Sequence, residues 1–210
     1  MIPLLNVNWQ SLPDSYALSD RDADVLYFIE EEDLAAFTFD GLKRRLGLHP
    51  ETLSRILSRL EQEGIVKKSP HGYTVTPKIT TLKLHPQRQE KPSTTLLQTY
   101  LPSNTPTQTL IAQLRGKWFG LLRWLGTSEN SEGITLKWIT EDGSIQLNAS
   151  IQGTALNIEA KFLSSSNLDL ALKAAYQLMA YIGSLSTGTR LARHIAYYPS
   201  AALFPYFTLA

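Results

Sequence analysis

The stretch FDGLKRRLGLHPETLSRILSRLEQEGIV, residues 39–66, decides how the first third of the chain is read. Asp40 is a good N-cap for a brief helix carrying Leu42 and Leu46, and Gly47 closes it. Leu48-His49-Pro50 then forms a turn, with Pro50 suited to the first position of the next helix, where its missing N–H costs nothing. Leu53, Ile56, Leu57 and Leu60 recur at helical spacing and must face a core. That leaves Thr52, Ser54, Arg55, Ser58, Arg59 and Gln62 on the outer side, with Gly64 as the stop signal.

Upstream, Ser19 followed by Asp20, Arg21 and Asp22 reads as an N-cap with acids in the first helical turn. Val25, Leu26, Phe28 and Ile29 supply the apolar side of that helix, and Glu30 to Asp33 its acidic end. Ala36 to Phe39 is a short extended stretch. Downstream, Ile65–Lys68 and Tyr73–Thr76 read as two strands joined by Ser69-Pro70-His71-Gly72. Helix, extended segment, short helix, turn, third helix and hairpin is the order of a winged helix-turn-helix domain.

LSDRDADVLYFI (residues 18–29), the quoted stretch and YTVTPK (73–78) together resemble the DNA-binding domain of MarR-type regulators and their archaeal winged helix relatives. The resemblance is limited to residues 19–78. It implies a transcriptional regulator that binds double-stranded DNA and lays the helix of residues 50–63 in the major groove, whose base edges carry a readable pattern. On that reading Thr52, Arg55 and Arg59 lie near bases or adjacent phosphates, with Ser54 and Ser58 beside them. Lys43, Arg44 and Arg45 on the preceding helix, and Lys67, Lys68 and His71 around the wing, are expected to meet phosphates.

Charge distribution agrees. The net charge of the whole chain is only +1, but residues 1–39 carry −7 and residues 40–91 carry +6. Such segregation suits one surface for a polyanion with acidic groups held elsewhere. There are no cysteines, which removes disulfides, zinc ribbons and thiol chemistry. No apolar run reaches the roughly 20 residues of a membrane span. The first residues have neither the basic lead nor the long apolar run of a signal peptide. A cytoplasmic protein is the expectation.

Residues 79–106 read as a Pro/Thr-rich linker, within which Ile79–Leu84 suits a short edge strand and Leu96–Leu101 a helical turn or two. From Thr107 to Leu125, Leu110, Ile111, Leu114, Trp118, Leu121, Leu122 and Leu125 suggest one long helix, in which Gly116 and Gly120 would mark close backbone approach. Arg115, Lys117 and Arg123 are interleaved there with Trp118, Phe119 and Trp124, a pattern better suited to core packing with charged edges than to an anion site. Three strands follow, 134–140, 144–151 and 155–162, the first pair joined at Asp142-Gly143. Leu168–Leu185 is an amphipathic helix. A last strand is expected at His194–Tyr198, and the apolar residues 199–210 are expected to dock on a core or a partner.

The chain is thus expected to be α+β: a winged helix-turn-helix domain (1–78), the linker (79–106), and a C-terminal α-β-β-β-α(-β) domain with an antiparallel sheet (107–210). The C-terminal domain would serve a homodimer or the sensing of an unidentified small-molecule effector. No cofactor, metal or catalytic residue is expected. Two alternatives compete. In one, the winged helix docks on a protein within a larger assembly. In the other, Glu159 and Lys161, which share a strand face as Glu-x-Lys does in restriction-endonuclease-like nucleases, serve a metal-dependent nuclease. Against it, turn pairing puts the amide of Gln146, not an acid, opposite Glu159.

Overall fold

The structure is a computed structural model and describes residues 19–76, 93–101, 106–130, 133–164 and 166–186. Helix α1 (Asp20–Glu31) starts at Ser19, whose hydroxyl accepts from Asp22 N while the Asp22 carboxylate takes the Ser19 N–H in return, a reciprocal capping box. Strand β1 (Ala36–Phe37) is two residues long. Helix α2 (Phe39–Leu46) is capped by Thr38, two residues before the expected Asp40, because the Thr38 hydroxyl is the group that reaches Gly41 N. Gly47 ends α2 in the left-handed region at φ 63°.

Helix α3 (Pro50–Gln62) buries Leu53, Ile56, Leu57 and Leu60, as the periodicity predicts. Strands β2 (Val66–Ser69) and β3 (Gly72–Val75) form the hairpin. Its turn is tighter than expected: Ser69 pairs directly with Gly72, leaving only Pro70 and His71 between. Gly72 is needed there, with φ 130° and space for no Cβ beside Phe37 O.

Part of the supposed linker is a strand. Ser93–Tyr100 forms β4, paired along its length with the strand of residues 155–162, so the helical turn expected around Leu96 does not form. Of the other expected elements, the edge strand at Ile79–Leu84, the strand at His194–Tyr198 and the docked residues 199–210 lie outside the described residues.

Helix α4 covers only Thr107–Leu114, not the expected 107–125. Gly116 (φ 73°) and Gly120 (φ 49°) turn the chain out of the helix, and Leu122–Glu129 becomes strand β5. The leucines counted toward one long helix fall on two elements because their spacing fits both periods over so short a run. Gly116 has open space around it, whereas Gly120 lies against the Gln177 side chain. Strands β6 (Ile134–Thr140), β7 (Ile145–Gln152) and β8 (Ala155–Phe162) and helix α5 (Leu168–Ser186) follow close to expectation.

The described residues therefore make an α+β fold of five helices and one eight-stranded antiparallel sheet, in the order β2-β3-β1-β5-β6-β7-β8-β4. Two apolar cores form along it. One packs α1, α2 and α3 together with Phe37, Val66 and Leu125. The other packs α4 and α5 with Leu136, Trp138, Leu147, Ala149, Ile158 and Ala160. Neighbouring residues on β5, Trp124 and Leu125, go one to each core, as the alternation of a strand dictates.

The junction is the pairing of β1 with β5, Ala36 opposite Thr127 and Phe37 opposite Gly126. It is closed by Thr38 N to Leu125 O (2.9 Å), Ala35 N to Thr127 O (2.8 Å) and Thr38 Oγ1 to Trp124 O (3.0 Å). A Cβ at Gly126 would lie 2.3 Å from Ala36 O. Gly126→Ala is therefore expected to push the two strands apart and cost about 1–3 kcal/mol, the range for overpacking a tight site, measurable by urea denaturation.

Candidate nucleic-acid interface

The residues expected at DNA divide into two groups. Ser54, Arg55 and Ser58 are exposed on the outer side of α3, and Thr52 is half-buried. Arg55 forms an ion pair with Glu51, one turn earlier, at 2.5 Å, with both side chains more than half exposed. Such a pair holds little energy in water and yields readily to a phosphate. Lys67 and Lys68 stand exposed on β2 and His71 is exposed in the turn. The Lys68 N–H donates to Glu61 Oε1 (3.2 Å), which ties the hairpin to the last turn of α3. Lys43 pairs with Asp40 at 3.2 Å.

In the second group, Arg59 and Arg45 are committed to partners within the fold and Arg44 to a surface indole. Arg59 clasps Asp22 with three contacts of 2.6–3.2 Å, linking α3 to the start of α1. Burial alone would raise the Asp22 carboxyl, but donation from Arg59 and Ser19 brings it below the ordinary range. Arg45 lies over the Phe28 ring at 4.9 Å and donates to Gln146 Oε1 at 3.2 Å, so it points toward the sheet. Arg44 lies over Trp118, 5.9 Å from the ring centroid, and donates to Asp40 O. Arg59 and Arg45 are thus spent on Asp22 and Gln146, whereas Arg44 lies at the surface against Trp118.

Behind this surface lies a feature the sequence reading missed. One face of β6–β8 is polar: Lys137 lies opposite Asn148, which lies opposite Glu159, and two residues further along Gln146 lies opposite Lys161. The Glu32 carboxylate, fully buried at the end of α1, closes down on that face. It accepts from Lys137 Nζ (2.8 Å), Lys161 Nζ (2.9 Å) and Gln146 Nε2 (2.8 Å). Lys137 Nζ and Ser128 Oγ also donate to Glu32 O. Burial would raise the Glu32 carboxyl, but the two lysines more than reverse this and hold it at about 2 against an ordinary 4.5.

Glu159 faces Asn148 rather than the expected Gln146, a shift of two residues that keeps it on the same face. Both β7 neighbours are amides. Asn157 Nδ2 donates to Glu159 (2.7 Å), and Lys161 is spent on Glu32. Asp142 closes the β6–β7 turn by accepting from Thr140 Oγ1, Ser144 N and Ser144 Oγ. Among the described residues no group of three or more His, Cys, Asp or Glu could hold a metal ion, and no helix is long and apolar enough to cross a membrane.

Period-2 alternation in ITLKWIT did place Lys137 on the side opposite Leu136 and Trp138, but such a side is ordinarily the solvated one, and only the fold shows that it is buried against an acid. The acid lies 105 residues away, in a run that reads as a solvated helix end. Comparison with family models, curated proteins and solved structures finds no match to the chain.

Glu32→Gln removes the countercharge of two lysines, one of them buried. The expected loss is about 3–5 kcal/mol of stability, read by chemical denaturation at neutral pH. Because the folded carboxyl titrates near 2 and an unfolded one near 4.5, its contribution is complete above about pH 4.5 and disappears as pH falls toward 2. A pH series of unfolding midpoints should therefore drop over that acid window in the native protein and drop less steeply in Glu32→Gln, where Asp22 still titrates low.

Proposed function

We propose that the chain is a winged helix regulator of MarR-like type that binds double-stranded DNA through α3 and the β2–β3 hairpin. The observation that carries this reading is the joint exposure of Ser54, Arg55, Ser58, Lys67, Lys68 and His71 on two adjoining elements. Lys67 and Lys68 have no ion-pair partner among the described residues, so their charge is available to phosphates. The opposite side of α3 is filled by leucine and isoleucine, so the outer side is the one left to meet a ligand. A helix about 10–12 Å across fits a major groove about 12 Å wide.

In this reading Arg55 and Ser58 approach base edges, while the hairpin lysines, His71 and Lys43 lie along the phosphates. Arg59 and Arg45 support the surface from behind: Arg59 fixes the tilt of α3 on α1, and Arg45 fixes α2 on the sheet. A two-fold pair of copies would offer two α3 helices to two half-sites.

Fluorescence anisotropy with duplexes selected from a random pool tests this directly. Arg55→Ala should weaken binding about 10-fold and relax preference at one base pair. The double change Lys67→Ala, Lys68→Ala should weaken all sequences alike and flatten the log–log salt slope by about 2. Native affinity in Arg55→Ala would show that α3 is not the reading element.

A further inference from the structure

The segment between α4 and β5 holds a large aromatic side chain out in water. Trp118 is 58% exposed, although both of its neighbours are anchored. Phe119 is buried against Trp138 and Tyr181, and Trp138 Nε1 donates to Lys117 O (2.9 Å). The backbone is thus pinned on either side of Trp118, and the left-handed glycines 116 and 120 bracket the turn. Two guanidinium groups from different parts of the chain stack on the ring: Arg123 at 4.9 Å and Arg44, on α2, at 5.9 Å. Lys117 beside them is exposed and has no ion-pair partner among the described residues. Glu141 pairs with Arg123 at 2.9 Å, and the three cations Lys117, Arg123 and Arg44 outnumber it.

We propose that Lys117, Trp118, Arg123 and Arg44 form a second DNA contact, which grips the phosphate backbone of duplex outside the stretch read by α3. This deepens the reading above and rests on it. A guanidinium stacked on an indole keeps its in-plane N–H donors free for phosphate oxygens, and the ring restricts its motion so that less entropy is lost on binding. Arg123, whose side chain is 15% exposed, gives Nη1 to Gly120 O and Leu122 O and turns Nη2 outward to the exposed Glu141 carboxylate, which a phosphate can displace. The patch also continues the basic run of α2, since Arg44 belongs to both. The arginine expected to reach DNA from α2 alone is joined there to the C-terminal half of the chain.

The test uses the full chain and two selected duplexes carrying the same site, one of about 12 bp, just over a helical turn, and one of about 30 bp. Lys117 and Trp118 are exposed, so Lys117→Ala with Trp118→Ala should keep the native unfolding profile. The double variant should bind the long duplex about 3–10-fold more weakly than the native protein, with a salt slope lower by about 1, and bind the short duplex equally well. Unchanged long-duplex affinity, with Arg55→Ala still weakening both duplexes, overturns the second contact and leaves the role of α3 standing. Failure of the native protein to bind either duplex overturns both. Polyglutamate binding that the double variant loses, with DNA binding untouched, assigns the patch to an acidic protein and overturns the DNA contact.

Discussion

Two residues, Ala36 and Phe37, hold the molecule together. As β1 they pair with β3 on one side and β5 on the other, so the three-stranded ribbon beneath α1–α3 and the five strands of the C-terminal half become one sheet. So short a strand has no stability of its own. It persists because Phe37 is buried in the helical core and stacked on Tyr73, and because Thr38 caps α2 while its hydroxyl also donates to Trp124 O. The glycines at 41, 72 and 126 let three backbones approach around it.

A sheet extended in this way has a face to fill at the join. The apolar face is covered by α4 and α5. The other face of β6–β8 is largely polar and meets the end of α1, where apolar packing would be simpler and a buried charge is costly. Glu32 meets the cost by collecting three donors on its carboxylate, one of which, Lys137, also reaches its carbonyl oxygen together with Ser128. Unlike a contact between leucines, that arrangement accepts one position of α1 on the sheet and no neighbouring one. The Asp22–Arg59 clasp at the other end of α1 then passes the same placement to α3.

Local signals carried the helices and hairpins because each is set by spacing and punctuation within a dozen residues. The leucine spacing of α3, Pro50 at its start, Gly47 after α2 and Asp142-Gly143 between β6 and β7 all act at short range. Two features escaped for the opposite reason. The β1–β5 and β4–β8 pairings join segments about 90 and 60 residues apart in sequence, and nothing in ribbon or edge strand names its partner. Glu32 looked like one acid in an acidic helix end, and Arg45 and Arg59 like surface cations, because their partners are far along the chain or on another helix. Charge alone does not separate a residue facing solvent from one facing a buried counterion.

The same continuity bears on tolerance to spacing. A recognition helix hung on a flexible tether samples many separations from its twin, and can serve sites whose halves lie at various distances. Here β1 is hydrogen-bonded to β5 within one sheet, so α3 keeps a fixed bearing relative to β6–β8 and α5. In any assembly of two copies, the distance between their α3 helices is then a property of how the subunits pack. On the reading proposed above, inserting a base pair between half-sites, which rotates one by about a tenth of a turn, would meet a rigid ruler rather than a slack one.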